Sequence, residues 1–221
     1  LNPGDSVIAS DGSVTRVTGV YPQGSRPLWR LTFSDGTSAM ATDDHLWAIE
    51  IRRAKRVLSR TVTTAMMRGH LHQSEPWAIP LLSAPGQLTP QSVPIDPYVL
   101  GILLGDGSLS DGRRVGLTTA DHDIVDTVRA ALPPDQRIYA TGRLRYAITG
   151  HGRHRGRGSH NAVLIAVRAL GLSGHRAWEK FIPDVYLWND IHVRLEVLRG
   201  LMDTDGCVTT DRHVSFSSTS E

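Results

Sequence analysis

One stretch of sequence decides the fold, LRGLMDTDG at residues 198–206, and the chain holds a looser copy of it, VLGILLGDG at residues 99–107. Each copy predicts a short, mostly apolar helix with glycine at its third position and an Asp-Gly pair at its end. A glycine inside a helix costs about 1 kcal/mol relative to alanine. A close contact between two helix backbones would account for Gly101 and Gly200, so we expect the helices to lie side by side.

Paired in this way, the helices would bring Asp106 and Asp205 together at one end. Two carboxylates that lie close together repel each other unless a cation neutralises them. Mg²⁺ prefers oxygen ligands and commonly takes one or two carboxylates together with water and phosphate oxygens. The repeat therefore predicts a magnesium site, with one shared ion or two ions, that could assist phosphodiester hydrolysis.

Simpler interpretations exist for each copy alone. A Gly-Asp-Gly sequence after an apolar helix usually forms only a helix-ending turn. A calcium loop is a rival interpretation of residues 203–206, but its register would put Leu201 at the first ligand position. Two matching copies at a spacing typical of domains favour the paired-helix interpretation.

The second copy resembles the LAGLIDADG (dodecapeptide, or DOD-type) motif of homing endonucleases, and the first copy is similar but looser. The matching residues of the second copy are Leu198, Gly200, Leu201, Asp203, Asp205 and Gly206. The resemblance implies an α+β endonuclease domain over residues 93–221, with a pseudo-two-fold αββαββα fold that is truncated in its second half. It also implies that Asp106 and Asp205 are metal-binding catalytic acids, and that Lys180 is an accessory base or phosphate contact.

Residues 1–92 resemble the β-rich splicing (Hint-type) domain of inteins, in an incomplete form. Alternating segments at 14–18 and 28–33 predict strands, and the pairs Asp11-Gly12 and Asp35-Gly36 predict turns. The stretch from Thr42 to Trp47 is similar to the Thr-x-x-His block of that family. The resemblance implies that Thr42 and His45 bind the upstream splice junction. The fold class expected for the whole chain is thus an all-β splicing domain followed by an α+β endonuclease domain.

Positive charge is concentrated in two acid-free blocks, although the net charge of the chain is only +2. Residues 51–74 hold six Lys or Arg, and residues 137–176 hold eight arginines and four histidines. Such blocks favour a polyanionic partner. Within the second block we expect a strand over 143–149, flanked by helices over 121–132 and 161–172. The expected DNA-binding residues are the arginines of this strand and of the following Gly/Arg/His loop: Arg143, Arg145, Arg153, Arg155 and Arg157.

The leading hypothesis is a Mg²⁺-dependent, site-specific endodeoxyribonuclease carried within a self-splicing intein. Its partners would be double-stranded DNA with a long asymmetric target site and the host protein's exteins, and we expect a monomer. A protein-splicing element with an inactive nuclease is one alternative, and a non-catalytic nucleic-acid binder or maturase on the same fold is another. No apolar run reaches the ~20 residues that a membrane span needs, and no signal-peptide pattern is seen, so we expect a cytoplasmic protein. A zinc site at His151, His154 and His160 is less expected than a loop that faces phosphate.

Overall fold

The computed structural model describes residues 1–53, 56–71, 75–82, 88–150 and 161–220. The chain divides into two compact units, Leu1–Gln87 and Leu88–Glu221. Every strand pairing within the described residues is antiparallel. No helix in these parts of the chain is long and apolar enough to cross a membrane.

The first unit is built from short hairpins, one longer hairpin and one helix. Its elements are β1 (Ser6–Ile8), β2 (Val14–Arg16), β3 (Trp29–Thr32), β4 (Ser38–Ala41), β5 (Leu46–Arg53), β6 (Arg56–Thr63), α1 (Thr64–His70) and β7 (Trp77–Ala78). The predicted strands and turns near residues 14 and 30 are confirmed, since Gly12 and Gly36 take positive φ angles of 83° and 86° beside them. Only glycine adopts this backbone conformation without a steric cost.

The expectation of an all-β splicing domain in this unit is wrong. Its strands form three separate sheets with orders β1-β2, β3-β4 and β6-β5-β7, and α1 follows β6. The buried core is small and consists of Ile49, Ile51 and Val62, with partly buried neighbours such as Trp77. The other strands keep mostly exposed faces, so they lack the shared apolar interior that would join them into one β domain.

The second unit combines a four-stranded sheet with five helices among the described residues. Its elements are α2 (Pro97–Gly105), β8 (Gly107–Ser108), β9 (Val115–Thr118), α3 (His122–Ala131), β10 (Gln136–Ala140), β11 (Arg145–Gly150), α4 (Ala162–Ala169), α5 (Asp184–Leu187), α6 (Ile191–Asp205), β12 (Gly206–Val208) and β13 (Val214–Phe216). The sheet has the order β10-β11-β9-β8, and β12 pairs with β13 alone.

Polar side chains fix where the long helices of this unit begin. The carboxylate of Asp96 accepts a hydrogen bond from the backbone of Val99, and Asn161 and Asp190 cap α4 and α6 in the same way. These side chains satisfy backbone N–H groups that have no partner inside the helix. The helices predicted from spacing over 121–132 and 161–172 are confirmed as α3 and α4.

The core of the second unit lies between α2 and one face of the sheet. Helix α2 is buried all round, from Tyr98 to Leu104, which explains why its sequence shows no polar face. Inward-facing strand residues pack in the same core: Val115, Leu117, Ile138 and Ile148. Helices α3 and α4 contribute their buried faces to this side as well, so the opposite face of the sheet stays outward.

The predicted pseudo-two-fold αββαββα endonuclease fold is also wrong. A two-fold arrangement requires a second sheet beside α6, comparable with the sheet beside α2. Within the described residues α6 is followed only by β12 and β13, each three residues long and largely exposed. The sequence repeat is therefore a repeat of one helix and its Asp-Gly end, because these short strands bury too little apolar surface to form a second core.

Candidate cation and nucleic-acid site

Two glycines let the backbones of α2 and α6 touch. A Cβ atom added to Gly101 would collide with the carbonyl oxygen of Val197 and lie 2.9 Å from the Cα of Gly200. A Cβ on Gly200 would lie 2.8 Å from the backbone nitrogen of Ile102. Further along the helices, a Cβ atom added to Gly105 would collide with the side chain of Thr204. The helices thus run in the same direction, and their carboxyl ends lie together.

This pairing brings the two repeated aspartates to one place. A Cβ on Gly105 would lie 3.1 Å from Oδ2 of Asp205, and Asp106 is the next residue of the chain. Burial raises the pKa of Asp106, the negative charge of Asp205 raises it further, and Lys180 opposes both effects. Asp205 thus lies close enough for its negative charge to act on Asp106.

Lys180 is buried beneath this pair, with only 6% of its surface exposed. Its Nζ donates to the carbonyl oxygens of Leu103 (3.1 Å), Leu104 (3.0 Å), Gly105 (3.1 Å) and Gly107 (2.8 Å). Burial lowers the pKa of Lys180, while Asp205 and Asp106 raise it. The ammonium group has three protons for four acceptors, so it shares them among the carbonyls that end α2 and holds that helix end in place.

The acid pair is the only part of this centre that could bind a metal. Among the described residues no group of three His, Cys, Asp or Glu side chains could hold an ion. Two carboxylates alone fit Mg²⁺, which keeps several waters and takes further oxygens from a phosphate. The histidines of the zinc interpretation, at positions 151, 154 and 160, lie outside the described residues.

The outward face of the four-stranded sheet carries arginine, tyrosine, threonine and small residues. Residues directly opposite each other share a face, and the register pairs Arg137 with Thr149, Tyr139 with Ala147 and Arg145 with Thr118. No acidic side chain stands on this face, whose members are Ser108, Gly116, Thr118, Arg137, Tyr139, Arg145, Ala147 and Thr149. The guanidinium of Arg137 lies 5.6 Å from the centre of the Tyr139 ring. The face is thus basic, broad and free of bulky aliphatic groups.

The expected DNA-binding arginines fall at one end of this face. Arg143 and Arg145 line a depression together with Thr118, Thr141, Gly142 and Leu144. Arg153, Arg155 and Arg157 lie outside the described residues. Backbone contacts tie this end of the face to the acid pair, because the nitrogen of Thr118 donates to the carbonyl oxygen of Asp106 at 3.2 Å.

Thr42 and His45 lie in the first unit, between β4 and β5. The hydroxyl of Thr42 donates to Asp44 at 2.5 Å, and the backbone of His45 donates to the carbonyl of Thr42 at 3.2 Å. The His45 ring is exposed and packs edge-on against Trp47 at 4.9 Å. The two residues are therefore neighbours within one turn.

The structure adds residues that the sequence reasoning did not single out. The hydroxyl of Tyr98 donates to Asp203 at 2.9 Å, and the guanidinium of Arg199 lies 5.0 Å from the Tyr98 ring centre. Burial and the neighbouring Asp203 raise the pKa of Tyr98 to about 12, so the phenol stays protonated and keeps donating. A tyrosine in an otherwise aliphatic helix is a signal that could have pointed to this link between α2 and α6.

Comparison with curated proteins finds similarity to replicative DNA helicases named DnaB and to proteins named RecA. The chain is similar to the replicative DNA helicase DnaB of Mycobacterium intracellulare, with 28% identity over 244 residues that cover 99% of the chain and 36% of the relative. It is also similar to the protein RecA of Mycobacterium tuberculosis, with 30% identity over 96% of the chain and 26% of the relative. DnaB of Rhodothermus marinus matches with 26% identity over 89% of the chain and 20% of its own length. The chain thus spans about a third or less of these proteins. No protein-family model matches it.

These findings contradict the family that the sequence suggested. The matched proteins are named as a helicase and as RecA, and none of these names is that of a homing endonuclease. The identification as a LAGLIDADG (DOD-type) endonuclease within an intein is therefore wrong, together with the metal-dependent double-strand cut and the autocatalytic splicing that it implied. Two alternatives rested on the same resemblance and are wrong with it: a splicing element with an inactive nuclease, and a non-catalytic nucleic-acid binder or maturase on the same fold. The physical reason is that the repeat specifies two helix ends in contact, and such an arrangement does not by itself define a reaction.

Proposed function

We propose that the second unit binds duplex DNA through the outward face of the sheet β10-β11-β9-β8, with Mg²⁺ held at its edge by Asp106 and Asp205. The observation that carries the proposal is the composition of that face. It presents Arg137 and Arg145 among hydroxyl and small side chains, and no acid is present on it. Contacts of arginine and lysine with phosphate supply a large share of the affinity of proteins for DNA.

The shape of the face suits a nucleic acid. Its central positions are Gly116 and Ala147, which pair directly across β9 and β11. Small residues at the centre let a phosphate backbone approach the sheet closely, while the arginines at either side reach it. The guanidinium group can donate two parallel hydrogen bonds to a phosphate. The names of the relatives support DNA as the partner, since one of them is a replicative DNA helicase.

The acid pair would connect this face to a metal ion. Asp106 and Asp205 would supply carboxylate oxygens to Mg²⁺, and a DNA phosphate would supply others. The ion would supply positive charge where two carboxylates and a phosphate meet. Lys180 would hold the end of α2, and with it Asp106, in position for the ion.

We propose Asp106 and Asp205 as the metal-binding acids at the DNA phosphate and Lys180 as the cation that supports them, with no bond-breaking step assigned to them. Nucleotide hydrolysis is not assigned to this segment either. The only lysines of the chain are Lys55 and Lys180, and neither follows the Gly-x-x-x-x-Gly pattern of a phosphate-binding loop.

The test measures binding of the 221-residue chain to a fluorescently labelled duplex by anisotropy over a range of salt concentrations. Each phosphate contact contributes about −0.9 to the slope of log K against log salt. The double variant Arg137→Gln/Arg145→Gln should therefore lose about 1.8 from the slope, which is about sixty-fold in affinity at 0.1 M salt. Arg129→Gln is the matched control, because Arg129 is an exposed residue of α3, the helix that packs on the opposite side of the sheet. Equal slopes for the double variant and the control would refute the DNA-binding proposal.

The magnesium part has its own test. Mg²⁺ should raise the melting temperature of the chain, because an ion that binds only the folded state stabilises it. Asp205→Asn should abolish this shift without changing the salt slope for duplex binding. Ser220→Asn is the control variant, because Ser220 lies outside any strand or helix, and it should keep the magnesium-induced shift. A magnesium-induced shift that survives Asp205→Asn would remove the acid pair as the binding site.

A further inference from the structure

The long hairpin of the first unit is the second basic feature of the molecule. Strands β5 and β6 are each eight residues long and pair from Leu46 with Thr63 to Arg53 with Arg56. At about 3.3 Å per residue such a hairpin is roughly 26 Å long. Its far end carries Arg52, Arg53 and Arg56.

Three arginines of the hairpin share one face. Arg53 stands directly opposite Arg56, and Ile49 stands directly opposite Arg60. Side chains alternate between faces along a strand, so the positions at 49, 51 and 53 and their partners at 60, 58 and 56 all lie on one side. Arg56 and Arg60 are four residues apart, which is about 13 Å.

This face carries both core residues and arginines, with Arg60 beside the core and Arg53 and Arg56 at the far end. Ile49, Ile51 and Val62 form the buried core of this unit, whereas β6 is exposed from Arg56 to Thr61. Edge strand β6 therefore presents Arg56 and Arg60 to solvent beside the core.

The charges on the tip are arranged at a cost to the hairpin itself. Like charges directly opposite each other in an antiparallel pair are destabilising, and Arg53 and Arg56 are such a pair. Glu75 offsets part of the cost through an ion pair with Arg53 at 2.8 Å. A polyanion that contacted Arg56 and Arg60 would relieve the remainder.

We propose that the β5–β6 hairpin is a second DNA-binding surface, whose arginines contact phosphates along one groove of a duplex. The major groove is about 12 Å wide and admits a two-stranded β-ribbon, and exposed arginines of such a ribbon can reach the phosphates beside it. The proposal extends the proposed function, because it rests on the chain being a DNA-binding protein, but it concerns a different unit and different residues.

The test uses the same anisotropy titration with the variant Arg56→Gln/Arg60→Gln in the whole chain. Two lost phosphate contacts should reduce the salt slope by about 1.8 and weaken binding about sixty-fold at 0.1 M salt. Arg30→Gln is the matched control, because Arg30 is an exposed strand residue of the same unit in another sheet, and it should leave the slope unchanged. The charge-retaining variant Arg56→Lys/Arg60→Lys should keep the slope, which separates loss of charge from loss of folding.

The outcomes distinguish the two proposals. An unchanged slope in the hairpin variant, beside a reduced slope in the Arg137→Gln/Arg145→Gln variant, would overturn the hairpin proposal and leave the proposed function standing. A reduced slope in the hairpin variant alone would support the hairpin and refute the sheet. A loss of slope in Arg56→Lys/Arg60→Lys equal to that in the glutamine variant would also overturn the hairpin proposal, since the charge would then not be the cause.

Discussion

Replacing Lys180 with methionine tests how the end of α2 is held. Methionine keeps an unbranched apolar stem of similar length and removes the ammonium group that donates to four carbonyl oxygens. Two of these acceptors, on Leu103 and Leu104, are buried with the lysine, whereas Gly105 and Gly107 are part-buried. Water can therefore replace the lysine at the glycines more readily than at the leucines.

The loss of stability expected for Lys180→Met can be worked out from the two buried acceptors. Each buried carbonyl left without a partner costs about 1–3 kcal/mol, so two of them cost about 2–6 kcal/mol. Removing the ammonium group also removes the cost of burying it, which is the effect that lowers the pKa of Lys180. We expect a net loss of about 2 kcal/mol in the free energy of unfolding, or roughly 6 °C in Tm for a domain of this size.

The assay is urea unfolding followed by far-ultraviolet circular dichroism, for the wild-type chain and for Lys180→Met. The matched control is Arg168→Met, which also removes a cation that donates to a carbonyl, that of Gly112, but at an exposed site; it should cost less than about 1 kcal/mol. Because the folded pKa of Lys180 is lowered, the unfolded chain binds more protons in the pH range below the ordinary value of 10.5, and wild-type stability should rise with pH there relative to the variant. Equal stability of Lys180→Met and wild type, or a difference no larger than the control's, would refute this account of the helix end.

Three further predictions concern the same helix pair. Gly101→Ala should destabilise the chain by about 1–3 kcal/mol in thermal unfolding, because its Cβ meets the α6 backbone. Gly69→Ala in α1, with open space around it, should be neutral or stabilising, and similar effects of the two variants would contradict the contact. Asp106→Asn should stabilise the metal-free chain at neutral pH by on the order of 1 kcal/mol or less, given solvent screening. Because the pKa of Asp106 is raised in the folded chain, protonation of Asp106 makes the wild-type chain more stable as pH falls toward 3.8. The stability difference between the variant and the wild type should therefore shrink there. A difference that does not change with pH would be inconsistent with repulsion. Tyr98→Phe should lower the free energy of unfolding by about 1–2 kcal/mol, because Asp203 loses its donor. A variant that melts at the wild-type temperature would exclude a stabilising role for this hydrogen bond.

Local features of the fold were predictable because local rules determine them. The apolar spacing over 121–132 was sufficient to place α3, whose buried face holds Ile124, Val125 and Val128. The same holds for turns at Gly12 and Gly36, where the backbone requires glycine. The contact between α2 and α6 was foreseeable from Gly101 and Gly200, since glycine inside a helix needs a reason.

Long-range features were not predictable from the pattern. The bond from Tyr98 to Asp203 joins residues 105 positions apart, and the order of the sheet places β9 between β11 and β8, neither of which a local pattern encodes. The family predicted from the sequence was wrong for a related reason. The nine-residue repeat determines how two helices end and where they contact each other. The matched proteins show that this local similarity did not identify the family of the whole chain.

The most direct test of the account asks which face of the sheet touches DNA. A photo-crosslinking amino acid placed at position 139, which is 45% exposed on the outward face, should form a covalent adduct with a bound duplex on irradiation. The same group at position 165, which is 49% exposed on α4 at the opposite side, should form none. Crosslinking at 165 equal to that at 139, or an absence of crosslinking at 139 while the duplex is bound, would contradict the proposed DNA-binding face.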